Sequence, residues 1–326
     1  MYYAETGSTD PYYNLAFEEY ILCHKRQGDW LILWQNANTV VVGMNQNTLE
    51  EIDTDFVKAH EIRVVRRGTG GGAVYHDLGN MNYSFIADAK GSADAQMAHF
   101  SSAVCGALSA MGVEAQATGR NDIVVQGKKV SGTAQRIEQG RILHHGTLLF
   151  RSDPQMIAGA LRADPEKFRS KGTKSVESRV GNISDFLPEN SSIEVFAEKL
   201  RESLTAGSFT YIELNSWEKG EISRLADSKY RTWEWNYGAS PASTMKKRAR
   251  YEGGTLEISA QVEQGRIAAI RFRGDFMARI ALDPLEEALS GRRFTREEVA
   301  SVLARFPLED MFGAIKTQEV LDALFS

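Results

Sequence analysis

The chain has 326 residues, 42% of them hydrophobic and 25% charged, and a net charge of 38 − 43 = −5. This is the make-up of a globular protein with length for about two domains. It argues against a protein that coats nucleic acid, and no apolar run nears the ~20 residues that span a bilayer. Met1–Glu5 has no basic region leading into an apolar one, so no signal peptide is expected. The two cysteines, Cys23 and Cys105, form no Cys-x-x-Cys pair, which leaves neither a disulfide framework nor a zinc site and fits a reduced, cytoplasmic compartment.

In chain order, residues 14–22 have helical apolar spacing after the start signal Asp10-Pro11. Residues 30–34 and 39–43 read as a strand pair, 56–60 as a short helix and 62–66 as a strand. Strand-like alternation returns at 80–86, and an alanine-rich helix fits 94–111. A hairpin is expected over 123–125 and 129–135, turning at Gln126-Gly127-Lys128, followed by a strand over 142–150. A helix over 192–204 and an aromatic patch over 229–238 precede a linker at 238–244. Beyond it come strands at 248–251, 255–262 and 266–273 and helices at 284–289, 295–305 and 317–325. The expected fold class is α+β: a catalytic domain of mixed sheets flanked by helices over 1–244, and a small α+β accessory domain over 245–326.

Three runs carry chemistry. The first is Arg66-Arg67-Gly68-Thr69-Gly70-Gly71-Gly72-Ala73-Val74-Tyr75-His76-Asp77. Each glycine costs about 0.5–1 kcal/mol of backbone order relative to alanine. A cluster of four within five residues therefore points to a backbone that approaches a ligand or needs φ > 0, and exposed N–H groups there favour an anion. The spacing is neither a dinucleotide fingerprint before a helix nor a P-loop. The second run, 119–132, places Asn121 and Asp122 seven residues or so before Lys129, Ser131 and Gly132. A lysine held inside a hairpin strand can bind phosphate or polarise a carbonyl. The third, 171–183, is a polar loop with two lysines, Arg179 and several hydroxyls, suited to closing over a phosphorylated ligand. No Ser-His-Asp arrangement, carboxylate pair or nucleophilic cysteine accompanies them, so positioning and charge stabilisation are the expected means of catalysis. His144 and His145 are neighbours on a strand, point to opposite faces and cannot both line one pocket.

These runs resemble, in order, the motifs of the lipoate–protein ligase A family. Residues 66–80 look like its lipoate loop, Asn121-Asp122 and Lys129–Gly132 its adenylate-contacting strand and lysine, His144–Leu149 its next strand, 171–182 its adenylate loop, and 233–238 a motif near the end of the large domain. The resemblance implies an ATP-dependent ligase that forms lipoyl-AMP with Mg²⁺. It then passes the lipoyl group to a lysine of apo lipoyl domains, in 2-oxoacid dehydrogenase E2 subunits or the glycine cleavage H protein. It implies Lys129 as the catalytic residue. Lipoate would be held by Arg67, Gly70, Gly71, Gly72, Ala73, Val74, Tyr75, His76, His145 and Gly146. Adenylate would be held by Asn121, Asp122, Lys129, Ser131, Gly132, Thr173, Ser175, Val176, Arg179 and Val180, with Asp122 also facing Mg²⁺. A monomer with no nucleic-acid or membrane partner is expected. The rival reading is an ATP-independent lipoyl or octanoyl transferase, which needs a cysteine thioester. A non-catalytic lipoate binder is a further alternative. The Gly-Arg-Gly-Arg loop of biotin ligases is absent.

Overall fold

The computed structural model describes residues 1–118, 121–162, 180–188 and 191–325. The chain forms two compact units. The first comprises Met1–Gln46 and Glu50–Thr232; the second comprises Asn47–Leu49 and Trp233–Ser326.

The first unit holds two sheets. In chain order its strands are β1 (Tyr2–Glu5), β2 (Trp30–Trp34), β3 (Thr39–Val42), β4 (Arg63–Arg66), β5 (Val74–His76), β6 (Asn80–Asp88), β7 (Ala115–Thr118), β8 (Asp122–Val125), β9 (Lys128–Glu138), β10 (Arg141–Leu149) and β11 (Thr210–Tyr211). Eight of them make a mixed sheet in the order β11-β1-β2-β6-β10-β9-β8-β7, and the other three a small sheet, β4-β3-β5. Every residue of β10 is buried, as expected of a central strand covered on both faces. On one face Leu33, Tyr83, Phe85 and Leu148 pack with Val104 and Leu108 of the helix Ala93–Ala110 and with Phe196 and Leu200 of the helix Ile193–Leu204.

The opposite face is covered by α1 (Pro11–His24), capped by the Asp10 carboxylate, which accepts from Tyr12 N–H. Helix α1 is buried along most of its circumference because it touches β6 and β10 of the large sheet and β4 of the small one. This placement between two sheets brings Asn14, Leu15 and Glu18 inside.

The expected hairpin is present. Val125 pairs with Lys128, and Gln126 (φ 49°) and Gly127 (φ 78°) form the two-residue turn, whose left-handed backbone suits a right-twisted hairpin. Several elements differ from the sequence reading. Residues 74–76 extend from the glycine run as strand β5, antiparallel to β3. Strands β1, β7 and β11 and the helix Ser216–Leu225, with its Asn215–Glu218 capping box, were not expected.

The second unit is an antiparallel meander of β12 (Ser243–Tyr251), β13 (Gly254–Glu263) and β14 (Arg266–Gly274). Leu256, Ile258, Ile267 and Phe272 on its inner face pack against Leu285, Leu289, Val299 and Leu324 of the helices that follow. The expected boundary at 244/245 falls inside β12; the units part at Thr232/Trp233, because residues 234–238 are helical and belong to the second unit. Thr48 joins that unit through its Oγ1, which donates to Asn236 O (2.6 Å), and through its N–H, which donates to Ser240 Oγ (3.2 Å).

Phe196 is 1% exposed and its ring centroid lies 5.0 Å from that of Phe150. Phe196→Ala should destabilise the first unit by about 3–5 kcal/mol, read from its denaturant midpoint, with the transition of the second unit unmoved.

Candidate active site

The glycine loop leaves β4 and returns as β5, and two arginines organise it. Arg66 is fully buried, and its Nη1 donates to the carbonyls of Gly43 (2.9 Å), Met44 (3.0 Å) and Gln46 (2.7 Å). Arg67 is 6% exposed. Its Nε donates to Thr69 Oγ1 (3.0 Å), its Nη1 to Val41 O (3.2 Å), and its Nη2 to Gly70 O (2.6 Å) and Gly72 O (2.9 Å). Burial lowers both guanidinium pKa values to about 10, which leaves both charged at neutral pH. Gly71 needs its glycine, with φ at 91°, and a Cβ on Gly43 would collide with the Gly71 carbonyl. A Cβ at Gly70 or Gly72 would meet no protein atom within 4 Å.

From Arg67 a directed chain of hydrogen bonds crosses the interior. Because Arg67 Nε donates to Thr69 Oγ1, the hydroxyl proton is left for His145 Nε2, 2.7 Å away. His145 Nδ1 in turn donates to the Glu18 carboxylate (2.9 and 3.0 Å). Glu18 also accepts from Ser84 Oγ (2.5 Å), and Ser84 Oγ accepts from Trp34 Nε1 (2.8 Å). Glu18 is 3% exposed, and the sequence reading did not include it. Its signal was available: Asn14 and Glu18 are polar residues at i, i+4 on a helix otherwise apolar on that side.

His76 is buried, and burial together with Arg67 and His145 pushes its pKa down to about 3. His144 faces the other side of the sheet, where its ring stacks on Phe100 at 5.0 Å and its Nδ1 meets Gln135 Nε2 at 3.0 Å. Burial, with a smaller contribution from His145, lowers its pKa to about 3 as well.

Lys129 stands on β9 beside an irregularity in the β8–β9 register. Its Nζ lies 2.7 Å from Asp122 Oδ1; the two side chains are 38% and 25% exposed. Asn121 Nδ2 donates to Thr133 O (3.0 Å). Val180 bridges to Lys129 in parallel, and Gly181 N–H donates to Lys129 O (2.9 Å). Thr173, Ser175, Val176 and Arg179 lie outside the described residues.

These groups surround one recess of about 580 Å³, counting the space open to solvent. Arg67, Gly72, Ala73, Val74, His76, His145 and Gly146 line it from the lipoate set, and Asn121, Lys129 and Gly132 from the adenylate set. Gly70, Gly71, Tyr75 and Ser131 do not line it: Tyr75 donates its hydroxyl to Asn38 Oδ1, and Ser131 is fully buried. Asp122 is outside the lining and reaches it through Lys129. Leu15, Trp34, Val41, Asn82, Thr133, Ala134 and Thr147 complete the wall and were not named as site residues from the sequence. Among the described residues, no group of three or more His, Cys, Asp or Glu could hold a metal ion.

A mixed sheet, a glycine loop closed by an arginine, and a lysine across one recess define a catalytic domain of the lipoyl-ligase class. Comparison with known proteins agrees. Residues 10–205 match the lipoyl protein ligase A/B catalytic domain, and residues 240–324 match the bacterial lipoate protein ligase C-terminus. The chain is 39% identical over 321 residues to the lipoate-protein ligase LplJ of Bacillus subtilis, covering 97% of each. It is 38% identical over 317 residues to lipoate–protein ligase 1 of Staphylococcus aureus, covering 96% of each. Among solved structures, the bipartite lipoate protein ligase of Thermoplasma acidophilum superposes with a TM-score of 0.65 at 30% identity, over 73% of this chain and 96% of that one. A lipoate-protein ligase A bound with ATP gives 0.64 at 26%, over 73% and 97%. The chain belongs to the lipoate–protein ligase family. It is a ligase, and the carrier-to-carrier transferase is not favoured.

Folding lowers the pKa of His76 and of His144 from 6.5 to about 3. The unfolded chain therefore takes up protons from about pH 6.5 downward while the folded chain does not, so stability is full above that pH and falls as pH drops towards 3. Each histidine should cost about 2 kcal/mol between pH 7 and pH 5. In denaturant unfolding at the two pH values, His144→Phe should shrink the pH-dependent loss by that amount.

Proposed function

We propose that the recess carries both steps of lipoylation. In the first, a lipoate carboxylate oxygen attacks the α-phosphorus of ATP, the bond to the β-phosphate bridging oxygen breaks, and lipoyl-AMP and pyrophosphate result. In the second, the amine of an acceptor lysine attacks the lipoyl carbonyl carbon, AMP leaves with the C–O bond electrons, and the amine loses a proton. The observation that carries this reading is the Lys129 ammonium at the wall of the same recess as the Arg67-closed loop. An ammonium there can meet charge on the α-phosphate and then on the carbonyl oxygen. Arg67 gives its hydrogen bonds to loop carbonyls, so it acts by shaping the loop and by its charge rather than as a free clamp. At Gly72 the backbone is bare towards the recess, leaving room for the acyl chain.

Related proteins support the ligands: one solved relative is described with bound lipoic acid, another with ATP, and a third with its E2 lipoyl domain. Mg²⁺ accompanying ATP usually needs only one or two protein carboxylates. Asp122 is suited to be one, exchanging its contact with Lys129 for the metal. Asn121 and Gly132 line the recess and are suited to hold ribose or phosphate; the family resemblance assigns Thr173, Ser175, Val176, Arg179 and Val180 to the same ligand. The acceptors are apo lipoyl domains of 2-oxoacid dehydrogenase E2 subunits or the glycine cleavage H protein, met by a monomer in the cytoplasm. No helix among the described residues is long and apolar enough to cross a membrane.

Wild-type protein with lipoate should exchange pyrophosphate into ATP, and Lys129→Ala should lower that rate by about 10²-fold or more. Lipoate binding with no exchange in the wild type would leave a binding protein instead, and near-normal exchange in Lys129→Ala would remove this lysine from the mechanism.

A further inference from the structure

The recess has two distinguishable ends. Trp34 pairs with Asn82, and Asn82 with Thr147, in one row across the large sheet. Thr147 Oγ1 accepts from Gly132 N–H (3.1 Å) on β9, and a Cβ on Gly132 would lie 3.1 Å from Lys129 Nζ. The row spans three strand spacings, about 14 Å. If Lys129 faces the carboxyl end of the acyl chain, Trp34 and its neighbours face the other end. His76 belongs there: its ring is 6.3 Å from that of Trp34, edge to face.

The protonated nitrogen of His76 follows from its neighbours. Asn14 Nδ2 sits among Ser8 O (3.0 Å), Gln35 O (2.8 Å) and Asn36 Oδ1 (2.9 Å). Backbone carbonyls only accept, so this atom of Asn14 is the nitrogen, and the Asn36 atom it meets is the oxygen. The other carboxamide atom of Asn36, its Nδ2, therefore donates to His76 Nδ1 (3.1 Å). A neutral ring that accepts at Nδ1 carries its proton on Nε2. His76 is 3% exposed and lines the recess, and its Nε2 has no hydrogen-bond partner among the described residues. The structure thus holds a buried N–H donor on a ring that lines the recess beside Trp34.

A buried donor without an acceptor is costly, and a ligand that supplies one relieves the cost. A saturated alkyl terminus has no acceptor. A cyclic disulfide has sulfur lone pairs, which accept weakly and sit well beside an aromatic ring such as that of Trp34. Resting on the lipoate reading above, we propose that His76, donating through Nε2–H, reads the sulfur-bearing end of the acyl chain and makes the protein select lipoate over the saturated eight-carbon acid. The Asn14–Asn36 pair is the positioning device, since it fixes which ring nitrogen carries the proton.

The test compares lipoic and octanoic acid on the full chain, by calorimetric binding and by kcat/KM for pyrophosphate exchange, in wild type, His76→Phe and His76→Gln. Wild type should favour lipoate. The lipoate-to-octanoate ratio should fall about tenfold in His76→Phe, which keeps a ring but no donor. It should recover in His76→Gln, whose amide nitrogen reaches the place of Nε2. Equal losses for both acids in His76→Phe, or a wild type indifferent to sulfur, would overturn the proposal. If His76→Phe does not fold, wild type alone decides: 6-thiaoctanoic and 8-thiaoctanoic acids should bind more tightly than octanoic acid, and equal binding overturns the proposal. Selective binding of lipoate without any exchange would instead sink the ligase mechanism and leave the His76 assignment standing.

Discussion

The buried hydrogen-bond chain from Arg67 through Thr69, His145 and Glu18 to Ser84 and Trp34 is the constraint on which this site depends. It ties the glycine loop, β10, α1, β6 and β2 together through buried side chains. Each member is oriented by the next, so the loop cannot shift without stranding a polar group away from water, at a cost of about 1–3 kcal/mol. Several glycines give the loop many unfolded conformations to lose. The rigidity that selects one of them comes from the arginine side chains, which satisfy carbonyls that no ladder pairs. Arg66 and Arg67, adjacent in sequence, do this for two different stretches of backbone.

The Lys129–Asp122 pair obeys a different logic. Both side chains are partly exposed, so solvent screens their attraction and it contributes little to stability. Such a pair is easy to exchange. The Lys129 ammonium can leave its resting partner cheaply, whereas the buried groups that hold the glycine loop in shape cannot move without stranding polar atoms. The register irregularity in β8–β9 places Lys129 at the border between those regimes, with its stem on the sheet and its ammonium towards the recess.

What could be read in the sequence was whatever broke the ordinary rules of packing. Four glycines after two arginines are costly in backbone order, and a lysine just inside a hairpin strand stands out by its setting. Asn14 and Glu18 carry only a weak local signal, two polar residues four apart on an otherwise apolar side of a helix, and Trp34 carries none. A carboxylate on a helix is ordinarily solvated, and only the sandwiching of α1 between two sheets turns Glu18 inward. The short edge strand Ala115-Gln-Ala-Thr118 lacks apolar alternation, and its pairing is fixed by β8 rather than by its own side chains. The helix Ser216–Leu225 contains Gly220 and few apolar residues, so its capping box was its main signal. The division between the units falls before the expected linker because residues 234–238, rich in aromatic side chains, form a helix that packs with the second unit.

The adjacent histidines show how a strand couples a site to a core. Alternation sends His145 into the polar chain and His144 into an aromatic cluster with Phe85 and Phe100. The expectation that the pair could not share a pocket holds for that reason. The two rings share one stretch of backbone, paired on both sides by β6 and β9, so displacing His144 moves the strand that aims His145. Cores are close-packed and answer such a displacement by shifting neighbours rather than by yielding in place. Repacking around Phe100, on the face of the sheet away from the recess, therefore acts on the Thr69–His145 contact through β10.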